Sequence, residues 1–142
     1  MKNPSNALRS AYFQALNGNV TVNGSAIKVY NKVLDDNTGN FYIWITAETG
    51  KKVPDKTHKL REHTLLIDIV TKFGPYEGSN ETANDIQEQV SELIDNGTEL
   101  SLGAEYQSIL TVEEDSHDID LQTPSETIIR KLIRYRHLIN IN

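Results

Sequence analysis

His63, Leu65, Ile67, Ile69, Thr71 and Phe73 alternate with Thr64, Leu66, Asp68, Val70 and Lys72. A period of two sets the first group on one face of an extended strand, and its β-branched residues favour a pleated, half-buried surface. A strand with so apolar a face belongs at the centre of a sheet. Phe41 to Thr46, reading Phe-Tyr-Ile-Trp-Ile-Thr, is apolar on both parities. That is the pattern of a strand buried on both faces or against a partner.

The carboxyl-terminal segment fits two periods. Ile128, Leu132, Tyr135 and Ile139 have helical spacing, whereas Ile129, Ile133, Tyr135, His137, Ile139 and Ile141 share one strand parity. Its β-branched isoleucines decide for a strand, with Arg130, Arg134 and Arg136 on the exposed face. Gln107 to Glu113 reads as another strand through Ile109, Leu110 and Val112, interrupted by the polar run Glu113-Glu114-Asp115-Ser116-His117-Asp118. Val20 to Val22 and Ala26 to Val29 flank Asn23-Gly24, a strong hairpin signal. Asp35 to Asn40 reads as a turn, and Ala47 to Arg61, without hydrophobic periodicity, as a basic loop.

Two helices complete the order. Pro4, Ser5 and Asn6 open the first, whose apolar positions are Leu8, Ala11, Tyr12, Ala15 and Leu16, and Asn17-Gly18 closes it. Ser79 or Asn80 caps the second, and Asn96-Gly97 ends it. At 100° per residue, Glu81, Asp85, Glu88, Glu92 and Asp95 fall within an arc of about 80°, opposite Ala83, Ile86, Val90, Leu93 and Ile94. Like charges at these spacings cost roughly 0.2–0.5 kcal/mol per pair. The predicted class is therefore α+β: one domain over residues 1–142, a mainly antiparallel sheet packed against two helices, with Leu65, Ile67, Ile69, Ile86, Val90 and Leu93 joining helix to sheet.

Charge is segregated along the chain. Phe73 to Ile129 holds 14 acidic residues and no lysine or arginine; Met1 to Lys72 holds 10 basic against 6 acidic, and Arg130 to Asn142 adds 4 basic. A net charge of −6 argues against nucleic-acid binding by the monomer, which needs a dominant basic surface. Opposite poles suit self-association instead. The absence of cysteine fits a reducing cytoplasm and removes thiol chemistry. No apolar run is long enough for a signal peptide or a membrane span.

In layout and wording the sequence resembles the tail terminator, or tail-completion, proteins of tailed bacteriophages. The likeness rests on the first helix with Leu8-Arg9 and Tyr12, Lys28 to Val33, the aromatic strand Phe41 to Thr46, Glu62 to Lys72, the helix Thr82 to Ile94 and the closing Arg130 to Arg136. The hairpin at Val20 to Val29 and the acidic second half depart from the family. The resemblance implies a virion protein, made in the host cytoplasm, whose copies form a ring, commonly sixfold or else twelvefold. Such a ring sits at the head–tail junction or tail end, touches portal, adaptor or tail-tube proteins, and lets DNA through its hole without sequence-specific binding.

On these grounds Lys51, Lys52, Lys56, Lys59, Arg61, Arg130, Arg134 and Arg136 are expected to contact neighbouring copies or partners. Glu81, Asp85, Glu88, Glu92 and Asp95 are expected to line the passage or an interface, where an acidic wall offers phosphates no cation. The bland reading of that stripe is a solvated helix face. No catalytic, cofactor or metal site is expected: His58, His63, His117 and His137 are scattered, there is no phosphate-cradling loop or nucleophile elbow, and neither the run around His117 nor Asp35 to Gly39 has metal-loop spacing. The alternative function is a monomeric acidic module that occupies a basic site on a partner.

Overall fold

A computed structural model describes residues 2–32, 34–35 and 38–142. The elements are α1 (Ser5–Leu16), β1 (Thr21–Val22), β2 (Ser25–Ala26), β3 (Lys28–Tyr30), β4 (Phe41–Val53), β5 (Leu60–Phe73), α2 (Glu81–Ile94), β6 (Tyr106–Gln122) and β7 (Thr127–Ile141). β1 and β2 form a separate ribbon, and the main sheet has the order β3-β4-β5-β7-β6. Among the described residues, only β3 and β4 pair in parallel. The alternating strand is β5, central as its pattern requires, and the class is α+β.

Both helices pack on one face of this sheet. Ile43, Ile45, Leu65, Ile67, Ile69, Ile133, Tyr135 and Ile139 lie under Leu8, Tyr12 and Leu16 of α1 and Ile86, Val90 and Ile94 of α2. Full burial of one such side chain stabilises by about 1.5–3 kcal/mol. Of the six core positions read from the sequence, five are wholly buried and Leu93 packs at the margin. The carboxyl-terminal segment is the strand β7, paired with β5 along its length.

Local chemistry explains the turns. Asn23 and Gly24 have φ of 53° and 81°, two consecutive left-handed residues such as a tight hairpin turn demands. The second arm is shorter than expected: Ser25–Ala26 closes the ribbon, while Lys28–Tyr30 crosses to pair with Tyr42–Trp44. At the start of α2 the Ser79 hydroxyl accepts the Glu81 amide hydrogen at 3.3 Å, while the Asn80 amide donates to Asp118. The expected turn at Asp35 to Asn40 includes Asp36 and Asn37, which lie outside the described residues.

Two expectations fail. Ala47 to Arg61 is not a loop: β4 continues to Val53, β5 begins at Leu60, and only residues 54–59 connect them. A bulge between Ile45 and Glu48 breaks the two-residue period, and beyond it the paired strands extend with little apolar cover, so no alternation is written into them. Nor does the polar run Glu113 to Asp118 interrupt a strand. β6 runs through it to Gln122, held by its ladder to β7. Residues 113–122 are exposed on both faces, and hydropathy carries no signal where neither face is buried.

Candidate interaction surfaces

Glu81, Asp85, Glu88 and Glu92 on α2 and Asp95 at its end are all exposed, opposite the buried Ala83, Ile86, Val90 and Ile94. None of the five makes an ion pair among the described residues. The stripe is real as geometry: one uncompensated acidic ridge on the helical side.

The basic residues of the former loop occupy the β4–β5 arm. Lys51, Lys52, Lys56 and Lys59 are exposed; Lys51 approaches Glu62 at 3.8 Å. Arg61 is partly buried and donates from Nε to His63 Nε2 at 3.1 Å. The arm is anchored by a cluster that sequence reasoning missed. Glu48 accepts the Ser5 hydroxyl at 2.6 Å and Arg9 Nε at 3.1 Å, and lies 2.8 Å from His63 Nδ1. Burial pushes the Glu48 carboxyl up, but the hydrogen bonds from His63 and Ser5 outweigh it and hold it below the ordinary carboxylate range. Arg9 also reaches the carbonyls of Ile45 and Thr46. These flank the bulge, where the ladder is locally disrupted. Gly50 accommodates the His63 ring, since a Cβ there would sit 2.7 Å from its Cε1. The partners are separated by 39 and 15 positions, so no local motif could have revealed them.

The sheet face away from the helices carries the three arginines of β7, but two are already engaged. Arg130 grips Asp68 through Nε at 3.3 Å and through Nη2, and that hydrogen bonding raises its pKa further. Asp68 is 1% exposed. Arg136 pairs with Glu114 at 3.0 Å. Arg134 makes no ion pair among the described residues. Leu110, Ile119 and Leu121 of β6 remain exposed, and their registers with Leu138, Arg130 and Ile128 place them on this same face.

A polar file crosses the core. The Tyr12 hydroxyl meets His137 Nε2, Thr111 Oγ1 lies 3.1 Å from His137 Nδ1, and Thr111 donates to Glu99. Burial pushes the Tyr12 phenol well up and lowers His137 to about 4. The phenol therefore stays protonated and donates to a neutral imidazole, whose Nδ1–H donates to Thr111. Every group is satisfied, an arrangement that holds α1 and β6 to β7. Among the described residues no group of three or more His, Cys, Asp or Glu could hold a metal ion, and no helix is long and apolar enough to cross a membrane.

No protein-family model matches this sequence, and no curated protein matches it. A solved chain from the virion of a native gene transfer agent particle has the same fold. The TM-score is 0.68 at 19% identity, over 96% of this chain and 98% of that one. At such identity the likeness shows the fold alone, over nearly the whole of both chains.

Proposed function

We propose that this chain is a structural protein of a phage-like virion whose copies form a ring at the head–tail junction or tail end, as a neck connector or tail terminator. The observation that carries this reading is the shared fold, over nearly the whole of both chains, with a protein of a gene transfer agent virion. The distribution of charge supports it. Cations crowd one projecting arm, while acids line α2 and β6, so unlike surfaces of successive copies attract. Portal, adaptor or tail-tube proteins are the partners, and DNA passes through the central hole.

Negative-stain imaging and native mass spectrometry of the purified chain, alone and with the tube or portal proteins of its virion, are expected to show rings of one size. A compact monomer throughout overturns the reading in favour of an acidic module docking on a basic partner.

Within the ring, the α2 stripe faces the passage. Virions carrying Glu88→Lys with Glu92→Lys are expected to assemble but to eject DNA at least tenfold more slowly, because lysines on the wall bind phosphates and release counterions. Ejection at the wild-type rate would place the stripe elsewhere.

A further inference from the structure

The two outer edges of the main sheet leave much of their backbone without a strand partner among the described residues, and each is guarded by charges of one dominant sign. β3 covers β4 only from Tyr42 to Trp44, and Arg9 occupies the next two carbonyls. From Glu48 to Val53 no strand flanks β4 on its outer side among the described residues. At the opposite edge, all 17 residues of β6 likewise have a strand on one side only among the described residues.

The phase of each ladder identifies the free groups. Lys72 N–H donates to Asn40 O at 2.8 Å, and Asn142 N–H donates to Glu105 O at 2.9 Å. Alternating from these bonds through the recorded bulges, the backbones of Glu48, Gly50 and Lys52 point away from β5, and those of Ser116, Asp118 and Asp120 point away from β7. All six residues are in register with core-facing positions, Lys52 with Ile139 through Arg61 and Asp120 with Ile129. A pairing between these edges thus keeps the helical face continuous from copy to copy.

Resting on the ring reading, we propose that copies join head to tail by sheet extension, the outer edge of β4 in one copy hydrogen-bonding to the outer edge of β6 in the next. Direction is fixed by topology. Three antiparallel steps separate β4 from β6, and rotation about an axis along the strands preserves direction, so the new pair is antiparallel. Charge fixes the choice of edge. β6 carries five acids and no lysine or arginine, and Asp115 and Asp120 make no ion pair among the described residues. The β4 edge presents Lys51 and Lys52, its one acid, Glu48, being held by Ser5, Arg9 and His63. Like edges repel and unlike edges attract, which selects an open-ended heterologous contact over a symmetric dimer. Ile119 and Leu121, 43% and 52% exposed, gain cover from the incoming strand.

The test blocks one edge at a time. Lys52→Pro and Asp120→Pro each remove an outward N–H without touching the internal ladder; Ser116→Pro replaces Asp120→Pro if the latter melts early. Each variant alone is expected to remain monomeric by native mass spectrometry under conditions where the wild type forms rings. An equimolar mixture of the two, retaining one complementary pair of edges, is expected to associate and stop at two copies. Lys52→Gln with Asp120→Asn, which leaves the N–H groups in place, is expected to weaken the ring at least tenfold without abolishing it. Wild-type-sized rings from either proline variant, or a mixture that stays monomeric, overturn sheet extension while leaving a ring built on other contacts. A wild type that forms no ring overturns both.

Discussion

Lowering the pH from about 7 to about 4 is expected to cost the fold about 3 kcal/mol through His137. Its imidazole is fully buried, accepts from the Tyr12 phenol and donates toward Thr111, so a second ring proton, on Nε2, would bring a charge into the core and displace the phenol proton that this nitrogen now accepts. Burial, with a smaller contribution from His63, lowers its pKa from 6.5 to about 4. The unfolded chain therefore binds a proton between those two values that the folded chain refuses. His137 leaves stability at its full value above the unfolded pKa of 6.5, and stability falls as the pH drops from there toward 4. Glu48, held below its ordinary range, adds a loss of the same sign only as carboxylates titrate. Urea unfolding across this range checks the slope, and His137→Gln is expected to flatten it above the carboxylate range. An unchanged slope in that variant would assign the effect elsewhere.

Replacing Arg130 by methionine is expected to destabilise the chain by about 2–3 kcal/mol, whereas Arg134→Met stays within about 0.5 kcal/mol. The sequence offers the two as equivalent cations on alternate positions of one strand. The sheet distinguishes them by setting Asp68 diagonally across from Arg130, with the carboxylate 1% exposed and the guanidinium side chain 37% exposed. Removing one partner of a buried pair leaves the other charge desolvated, costing about 3–5 kcal/mol when both are buried. Solvent access to Arg130 brings the figure down. Equal melting temperatures for the two variants would remove Arg130 from the internal framework and return it to the pool of interface cations.

Both effects depend on partners far apart in the chain, Tyr12 with His137 and Asp68 with Arg130. β5, β7 and the buried face of α2 were legible because each buries a face, and burial writes a period of two or 3.6 into the residues. The arm and the outer half of β6 were not. Neither buries an apolar face, their strands rest largely on backbone hydrogen bonds, the arm being pinned besides by the polar cluster around Glu48 and His63, and bulges at Ile45/Glu48 and Glu113/Asp115 break what alternation exists. The candidate surfaces divide in the same way. Five acids on one side of a helix follow from angular spacing alone. Lys51, Lys52 and Arg61 could be named as charges, but not placed on paired strands.

Periodic burial and the uneven supply of charge therefore determined, from the sequence alone, the α+β class, the central strand, the core and the acidic ridge. Only the tertiary structure decided which cations are spent internally on Asp68 and Glu114, that Arg9 and Glu48 brace the bulge, and that two unlike sheet edges stand open. The reason is range. Periodicity is a property of neighbours in the chain, whereas pairing partners and vacant edges depend on residues tens of positions apart that only folding brings together.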